Sequence, residues 1–189
     1  MEKLITAGVD EVGRGCLAGP VVSAAVILKK NINLKLLKDS KKITFNKREE
    51  VSEHIKKNSY YAIGVASVEE ILNLNILQAS LLSMKRAIKR LGIKPGLTLI
   101  DGNFAPKGLK NYKTIINGDK KIKVISAASI IAKVYRDKFM IKLSEKFSNY
   151  AWERNFGYGT KAHLEGLKKF GVTTHHRKGF KPVHKILSS

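Results

Sequence analysis

The stretch Gly8–Pro20 constrains the fold of this chain more than any other segment. An apolar run of the kind that forms a buried strand leads into two adjacent acids, Asp10 and Glu11. A Gly-Arg-Gly step and a Gly-Pro step then lead into a second apolar run, which indicates strand, loop and strand. Because unpaired charge is costly to bury, a strand that reaches two acids needs a neutralising partner, and we expect metal ions in that role.

The charge of the chain favours a polyanionic partner. Its 36 Lys and Arg residues outnumber its 15 Asp and Glu residues and give a net charge of +21, whereas solubility needs a magnitude of only about 2–8. The lysines are spread along the chain, so a folded face must carry them. A nucleic acid is the first candidate and an anionic membrane the second. No basic amphipathic anchor stands out, so we expect Arg14, between Gly13 and Gly15, to face a nucleic acid.

Length and residue usage predict one cytoplasmic domain. The 189 residues fit a single unit, which we expect to span residues 1–189. The longest apolar runs fall short of the ~20 residues that a membrane helix needs, and the N-terminus lacks the pattern of a signal peptide. The single cysteine, Cys16, excludes an internal disulfide and is typical of a reducing compartment.

The order of predicted elements indicates a mixed α/β domain, with a central sheet flanked by helices and a helical C-terminal part. Strands are expected at 3–10, 20–28, 60–66, 96–100, 112–116 and 122–125, and helices at 44–57, 67–91, 126–147 and 160–171. Ser67 and Glu70 form a capping box at the start of the second helix. The last residues, 173–189, are expected to be basic and irregular.

Taken singly, the acidic residues allow ordinary structural explanations. Neighbours in a strand point to opposite faces, so Asp10 and Glu11 share a site only if the strand ends or distorts there. The alternative for this pair is a solvated turn. Asp101 precedes a glycine at the end of a short apolar strand, which is also a common turn. Asp119 lies beside two lysines, as a surface turn residue would.

Other polar residues favour structural or surface roles. Lys133 and Asp137 lie four residues apart on one helix face, which predicts a surface salt bridge. The segment His175–Arg177 is expected at the surface or facing phosphate, because the histidines lack zinc spacing with a cysteine. Cys16 has no matched base that would make it a nucleophile, and we expect it in the core.

In combination, these segments resemble the ribonuclease HII family, the type 2 ribonucleases H. The resemblance covers nearly the whole chain and rests on motifs whose number and order make coincidence very unlikely. They are Gly8–Gly15 with Gly19–Pro20, Asp39–Lys42, Ile100–Gly102, Gly118–Asp119, Ser126–Val134 with Arg136–Asp137, Gly157–Leu164 and His176–Arg177. One departure is Gly179, which stands where the family usually has a serine. The sister type HIII lacks the Gly-Arg-Gly arrangement, so HII is the better match.

The resemblance implies a ribonuclease H-like fold and a single catalytic domain whose C-terminal part, about 150–189, contacts substrate. It implies hydrolysis of RNA in RNA/DNA hybrids and on the 5′ side of ribonucleotides embedded in DNA, leaving 3′-hydroxyl and 5′-phosphate ends. Catalysis and metal ligation are assigned to Asp10, Glu11, Asp101 and Asp119. Substrate binding is assigned to Gly13, Arg14, Gly15, Lys41, Lys42 and Tyr158, with Lys133 and Asp137 as candidate supporting residues.

Electrostatic repulsion explains why such a site would need metal ions. Four carboxylates in one site repel one another and a phosphodiester, and Mg²⁺ or Mn²⁺, which prefer carboxylate and water oxygens, remove that conflict. Two ions roughly 3.5–4 Å apart can hold a scissile phosphate. Nothing in the sequence demands more than a monomer. The alternative function is a non-catalytic hybrid-binding protein that retained the fold, although a pure binder has no reason to keep four acids.

Overall fold

The computed structural model describes residues 4–30, 32–33, 37 and 44–188, and a five-stranded mixed sheet lies at its centre. The sheet order is β3-β2-β1-β4-β5. β1 is antiparallel to β2 and parallel to β4; β2 and β3 pair antiparallel, and β4 and β5 pair parallel. The strands are β1 Thr6–Val12, β2 Val21–Leu28, β3 Ser59–Ala66, β4 Leu97–Asp101 and β5 Tyr112–Ile115.

Helices cover both faces of this sheet. They are α1 Phe45–Lys57, α2 Val68–Leu74, α3 Ile76–Lys89, α4 Gly118–Lys121, α5 Lys123–Ser144, α6 Trp152–Asn155, α7 Lys161–Phe170 and α8 Lys181–Leu187. Alternate residues of β2 face opposite layers: Ala24 and Val26 pack with α1 and α5, whereas Ala25 and Ile27 pack with α3. A strand buried on both sides is therefore almost entirely apolar, and its one polar residue, Ser23, has a hydrogen-bond partner in Ser83 of α3. No helix in the described part of the chain is both long and apolar enough to cross a membrane.

Local capping signals predicted several helix ends correctly. The Thr44 hydroxyl accepts from the backbone of Lys47 at the start of α1. Ser67 and Glu70 form the expected capping box on α2. Thr160 precedes α7, which ends before Gly171 in a positive-φ conformation. These signals work because short side chains satisfy the free amide groups of the first turn, and glycine tolerates φ above zero.

Three expectations about elements are wrong. The helix expected at 67–91 breaks at Asn75, which has φ 71 and whose side chain accepts from the amides of Leu77 and Gln78 to begin α3. The strand expected at 122–125 belongs mostly to α5, since a short apolar run does not distinguish a buried helix from a strand. The tail expected to be irregular contains α8, with a proline in its first turn.

Candidate active site

Two of the predicted acids lie where a pair of parallel strands separates. The parallel pairing of β1 with β4 runs up to Val9 opposite Ile100. The next residue of each strand is an acid, Asp10 on β1 and Asp101 on β4. The carboxyl ends of parallel strands open a crevice at which ligands bind in α/β sheets. The topology thus brings together two acids that are 91 positions apart in the numbering of the chain.

Asp119 joins them from α4, directly after the last strand of the sheet. Asn117, in a left-handed conformation with φ 54, turns the chain from β5 into α4. The amide of Gly118 donates to Asp101 Oδ1 at 2.6 Å, which ties the start of α4 to the end of β4. A side chain at 118 would lie 3.3 Å from that oxygen and 2.6 Å from Ile125 Cδ1. Glycine at this position therefore leaves room for the close approach of α4 to the end of β4.

The predicted site residues share one open pocket of about 370 Å³. All four acids line it, together with the Gly-Arg-Gly loop, the tyrosine of the C-terminal part and one of the two supporting residues. The lining is formed by Asp10, Glu11, Val12, Gly13, Arg14, Gly15, Arg48, Asp101, Asp119, Ser129, Ile130, Lys133 and Tyr158. Lys41 and Lys42 lie outside the described residues.

Glu11 reaches the pocket without a break in its strand. The pairing of β1 with β2 continues in register through Glu11 opposite Ser23 and Val12 opposite Val22. The expected backbone distortion near Glu11 is therefore absent, and β1 ends one residue later, at Val12. Because β1 loses its β4 neighbour after Val9, space opens beside it, and the longer side chain of Glu11 extends into that space.

The two adjacent acids are held in an unfavourable electrostatic environment. Burial, and then the neighbouring Glu11 carboxylate, raise the pKa of Asp10 well above its usual value, against hydrogen bonds from Ser129 and the Glu11 amide. Burial likewise raises the pKa of Glu11, although Arg14 opposes the shift. Arg14 Nη1 lies 3.3 Å from Glu11 Oε1, and Glu11 Oε2 is buried without a hydrogen-bond partner.

These carboxylates fit a divalent cation. A buried oxygen without a donor and two raised pKa values describe acids that a nearby positive ion would stabilise. Within the described residues, no three carboxylate, imidazole or thiol groups already stand close enough to hold an ion by themselves. The pocket therefore offers separate carboxylate oxygens on β1, β4 and α4, as suits hard ions such as Mg²⁺ that keep several water ligands.

The predicted pair Lys133 and Asp137 is present but is not on the surface. Lys133 Nζ lies 2.7 Å from Asp137 Oδ1, and the Asp137 side chain is fully buried. Burial raises the pKa of Asp137, with Lys133 opposing the shift. Lys133 itself lies over the Phe156 ring and lines the pocket, so Asp137 holds an ammonium group at the edge of the site. The spacing of residues on a helix identifies such an ion pair, but it does not show whether other segments of the protein bury the pair.

Two buried arginines bind backbone carbonyls of the segment from Arg14 to Pro20, which includes the end of the Gly-Arg-Gly loop. Arg136 donates to the carbonyls of Pro20, Ala18 and Phe156 at 2.7–2.9 Å. Arg177 donates to the carbonyls of Gly19 and Arg14, both at 2.9 Å. His176 and Arg177 are 0% and 1% exposed, so the expectation that this segment lies at the surface or faces phosphate is wrong. The guanidinium of Arg177 therefore binds backbone carbonyls of this segment and is not exposed to solvent.

The glycines on either side of Arg14 differ in their surroundings. Gly13 has φ +93, and a side chain there would lie 2.2 Å from Arg136 Nε. At Gly15 the nearest atom to an added Cβ would be Tyr158 Cε1, at 4.0 Å. Gly13 is thus required by the fold, whereas Gly15 leaves open space beside the Tyr158 ring. Cys16, expected in the core, is fully buried behind them.

Two polar residues of the pocket were missed from the sequence, Ser129 and Arg48. Ser129 makes a side-chain hydrogen bond to Asp10 and lies on α5, within the motif Ser126–Val134, of which only Lys133 has a role predicted from the sequence. Arg48 enters the pocket from α1. The pattern of α1 identified its buried positions, Val51 and Ile55, but no local signal shows which exposed side faces a pocket.

Comparisons with known proteins find relatives over nearly the whole chain. The model of the family described as Ribonuclease HII matches residues 7–183. A ribonuclease HII of Pelagibacter ubique is 63% identical over 185 residues, which cover 97% of this chain and 99% of the relative. The crystal structure of ribonuclease H2 from Pyrococcus horikoshii matches with a TM-score of 0.80 at 28% identity, covering 97% of both chains. The ribonuclease HII in a PCNA complex from Archaeoglobus fulgidus matches with a TM-score of 0.78 at 29% identity, covering 94% of this chain and 96% of that one.

The fold and these relatives together define a metal-dependent endonuclease with the ribonuclease H-like α/β fold, a hydrolase that acts on nucleic acid. The chain belongs to the ribonuclease HII family. Family membership implies ribonuclease H activity. It also confirms the family and fold that the motifs of the sequence predicted.

Proposed function

We propose that this protein cleaves the RNA strand of RNA/DNA hybrids and the 5′ side of ribonucleotides embedded in duplex DNA. The products would carry 3′-hydroxyl and 5′-phosphate ends, as ribonucleotide removal and RNA primer removal require. The observation that carries the proposal is the gathering of Asp10, Glu11, Asp101 and Asp119 in one pocket with Gly15 and Tyr158. The acids that would catalyse cleavage then lie beside the two residues, Gly15 and Tyr158, that would distinguish ribose from deoxyribose.

The acids would act as ligands. Asp10 and Asp101 flank the opening between β1 and β4, Glu11 offers a buried oxygen without a donor, and Asp119 adds a carboxylate from α4. Bound there, two Mg²⁺ or Mn²⁺ ions would lower the pKa of a water nucleophile and stabilise the leaving oxygen. Ser129 keeps the Asp10 carboxylate in place through its hydrogen bond.

Recognition of ribose would rest on the Gly-Arg-Gly loop and Tyr158. The 2′-hydroxyl is the group that distinguishes RNA from DNA at a given position. The open space at Gly15 permits the loop backbone to approach that hydroxyl, and the neighbouring Tyr158 ring offers a flat surface for the sugar. Arg14 can bind a phosphate with its planar guanidinium.

Other cations would hold the duplex without reading its sequence. Lys133 and Arg48 line the pocket, and Lys41 and Lys42 are proposed as phosphate contacts from the sequence motif alone. Binding through phosphates weakens steeply as salt rises. We further propose that a monomer in the cytoplasm does this work, with residues 150–189 contributing Tyr158 to the substrate surface.

The decisive experiment is cleavage of a DNA duplex that contains one ribonucleotide, with Mg²⁺, with Mn²⁺ or with a chelator. We expect one cut on the 5′ side of the ribonucleotide, no cut with the chelator, and loss of cleavage in Asp10→Asn and Asp101→Asn. Glu145→Gln, at an exposed acid after α5, is the matched control and should cut normally. Salt-sensitive duplex binding by the wild type without cleavage in either metal would instead support the non-catalytic binding protein.

A further inference from the structure

A line of buried aromatic nitrogen groups lies behind Tyr158. Trp152, His163 and His176 are all 0% exposed. Trp152 Nε1 and His176 Nε2 each lie 3.0 Å from His163 Nε2. At the far end His176 Nδ1 accepts from the backbone amide of Thr173 at 3.0 Å, and at the near end His163 Nδ1 lies 2.9 Å from the Tyr158 carbonyl oxygen.

The partners determine where each proton lies. A backbone amide only donates, so His176 Nδ1 must be the acceptor, and a neutral His176 carries its proton on Nε2. The Trp152 indole also only donates, so His163 Nε2 accepts from it and from His176. The proton of His163 is therefore on Nδ1, where it donates to the Tyr158 carbonyl. Hydrogen bonds run in one direction, from Thr173 to Tyr158.

Both imidazoles are suited to this neutral arrangement. Burial lowers the pKa of His163, and burial with the neighbouring histidines lowers the pKa of His176 to about 3. A second proton on His163 would lie on Nε2 and face the Nε2–H of His176 across their 3.0 Å contact, whereas a second proton on His176 would lie on Nδ1 and face the Thr173 amide. The chain of hydrogen bonds therefore stays intact at neutral pH.

The series of hydrogen bonds ends at the loop that carries Tyr158, and the conformation of this loop depends on hydrogen bonds from neighbouring residues. Phe156 and Gly157, just before Tyr158, have φ values of 50 and 85, and a left-handed non-glycine residue is strained. Gly157 donates to Asn155 Oδ1 at 2.8 Å. The Tyr158 carbonyl also accepts from the Thr160 amide at 2.8 Å. Of the hydrogen bonds to this carbonyl, the one from His163 comes from a side chain fixed in the buried layer.

We propose that His163 is a positioning residue for substrate selection: its Nδ1–H fixes the Tyr158 backbone so that the ring stays beside Gly15. His176 and Trp152 act on Tyr158 through His163 by keeping its proton on Nδ1. The inference rests on the proposed function, because it assumes that Tyr158 recognises the ribonucleotide at the junction with DNA. It assigns a role in selectivity to two buried histidines that do not line the pocket.

Two amide substitutions separate this role from general packing. The side-chain nitrogen of asparagine falls near the Nδ1 position of histidine, and that of glutamine near the Nε2 position. His163→Asn therefore retains a donor for the Tyr158 carbonyl, whereas His163→Gln loses it and retains only the contact toward Trp152 and His176. His184→Gln, at an exposed histidine of α8, is the control for a change of the same residue type.

The measurement is the ratio of kcat/KM on a single-ribonucleotide duplex to kcat/KM on a long RNA/DNA hybrid. One hydrogen bond corresponds to between about twofold and tenfold, so we expect His163→Gln to lower the ratio by that factor. His163→Asn and His184→Gln should stay within about twofold of the wild type. In the background of Tyr158→Ala, His163→Gln should change the ratio no further, because the side chain that it positions is gone.

Equal losses on both substrates in His163→Gln, or full additivity with Tyr158→Ala, would overturn the inference. If the wild type fails to cut the single-ribonucleotide duplex, the proposed function fails first, and the two failures are thus distinguishable. A second test needs no variant and no substrate. Nitrogen-15 NMR of the wild-type imidazoles should show His163 protonated on Nδ1 and His176 on Nε2, and the opposite assignment for His163 would overturn the inference even if cleavage is normal.

Discussion

Replacing each glycine beside Arg14 with alanine should separate folding from substrate selection. At Gly13 the backbone has φ +93, and the new methyl group would lie 2.2 Å from Arg136 Nε and 2.7 Å from its Cδ. That arginine is fully buried and cannot move aside without breaking its bonds to the carbonyls of Pro20, Ala18 and Phe156. At Gly15 the methyl group would meet only Tyr158 Cε1, at 4.0 Å.

The magnitudes follow from these contacts. Gly13→Ala adds a left-handed non-glycine residue, at about 1–2 kcal/mol. It also disrupts at least one hydrogen bond from a charged donor, at about 1.5–3 kcal/mol. The sum of roughly 2.5–5 kcal/mol corresponds to a fall in Tm of roughly 5–20 °C for a chain of this size. Gly15→Ala meets no close contact, so its effect should stay within about 1 kcal/mol, or roughly 4 °C.

The assay pairs thermal unfolding, followed by circular dichroism, with cleavage of a single-ribonucleotide duplex at a temperature where both variants are folded. We expect Gly15→Ala to keep its Tm and lose at least about tenfold in kcat/KM, because a methyl group obstructs the sugar at about 1.4 kcal/mol or more. Equal Tm values for the two variants would refute the argument from Arg136. Wild-type cleavage by a folded Gly15→Ala protein would refute the close approach of the loop to substrate.

Three further predictions concern the acids, the buried histidines and the tyrosine. Since the folded-state pKa of Asp10 is raised, its ionisation destabilises the metal-free fold as pH rises above about 3.9. Asp10→Asn should therefore raise the Tm measured at pH 7 in a chelator and reduce the gain in Tm on adding Mg²⁺. An unchanged Tm in chelator would contradict this. The folded-state pKa of His176 is lowered to about 3, so the unfolded chain binds the proton first and the free energy of unfolding should fall as pH drops from about 6.5 toward 3. Denaturant titrations at several pH values should show a shallower fall for His176→Gln than for the wild type. Equal dependence on pH in the two proteins would argue against this role of His176. Tyr158→Ala should lose more kcat/KM on single-ribonucleotide duplexes than on long hybrids, and equal losses would remove its role at the junction.

The elements that the sequence predicted well are those with local signals. Thr44, Ser67 and Thr160 cap helices through hydrogen bonds to residues three positions further along the chain. Each is therefore visible in a short window of sequence. The break at Asn75 has a local cause too, since its own side chain caps α3, but a continuous apolar stripe on both sides of it favours a single helix.

The strand wrongly expected at 122–125 shows the limit of such windows. Its apolar residues are compatible with a strand or a helix, and the decision comes from packing. Ile125 is fully buried on α5, and Gly8 of β1 lies so close to the backbone of Val124 and Ile125 that a side chain at position 8 would have no room. The sheet and this helix thus fit together through a contact that the pattern at 122–125 does not reveal.

For the candidate site too, the sequence determined some features and the tertiary structure determined others. By itself the sequence determined the residue types, since the acids, the Gly-Arg-Gly loop and Tyr158 form ordered motifs that identify the family. Only the tertiary structure decided that β1 and β4 separate directly before Asp10 and Asp101 and that Glu11 enters the pocket from an unbroken strand.

Burial was equally a matter of tertiary structure. Asp137 lies inside rather than on the surface, and Gly13 serves the fold because Arg136, more than a hundred residues later, fills the space beside it. The physical reason is that caps and turns depend on backbone preferences of neighbouring residues, whereas burial and charge pairing depend on which distant segments meet. Residue types at a motif therefore identify the chemistry, and the packing of distant segments determines which of those residues perform it.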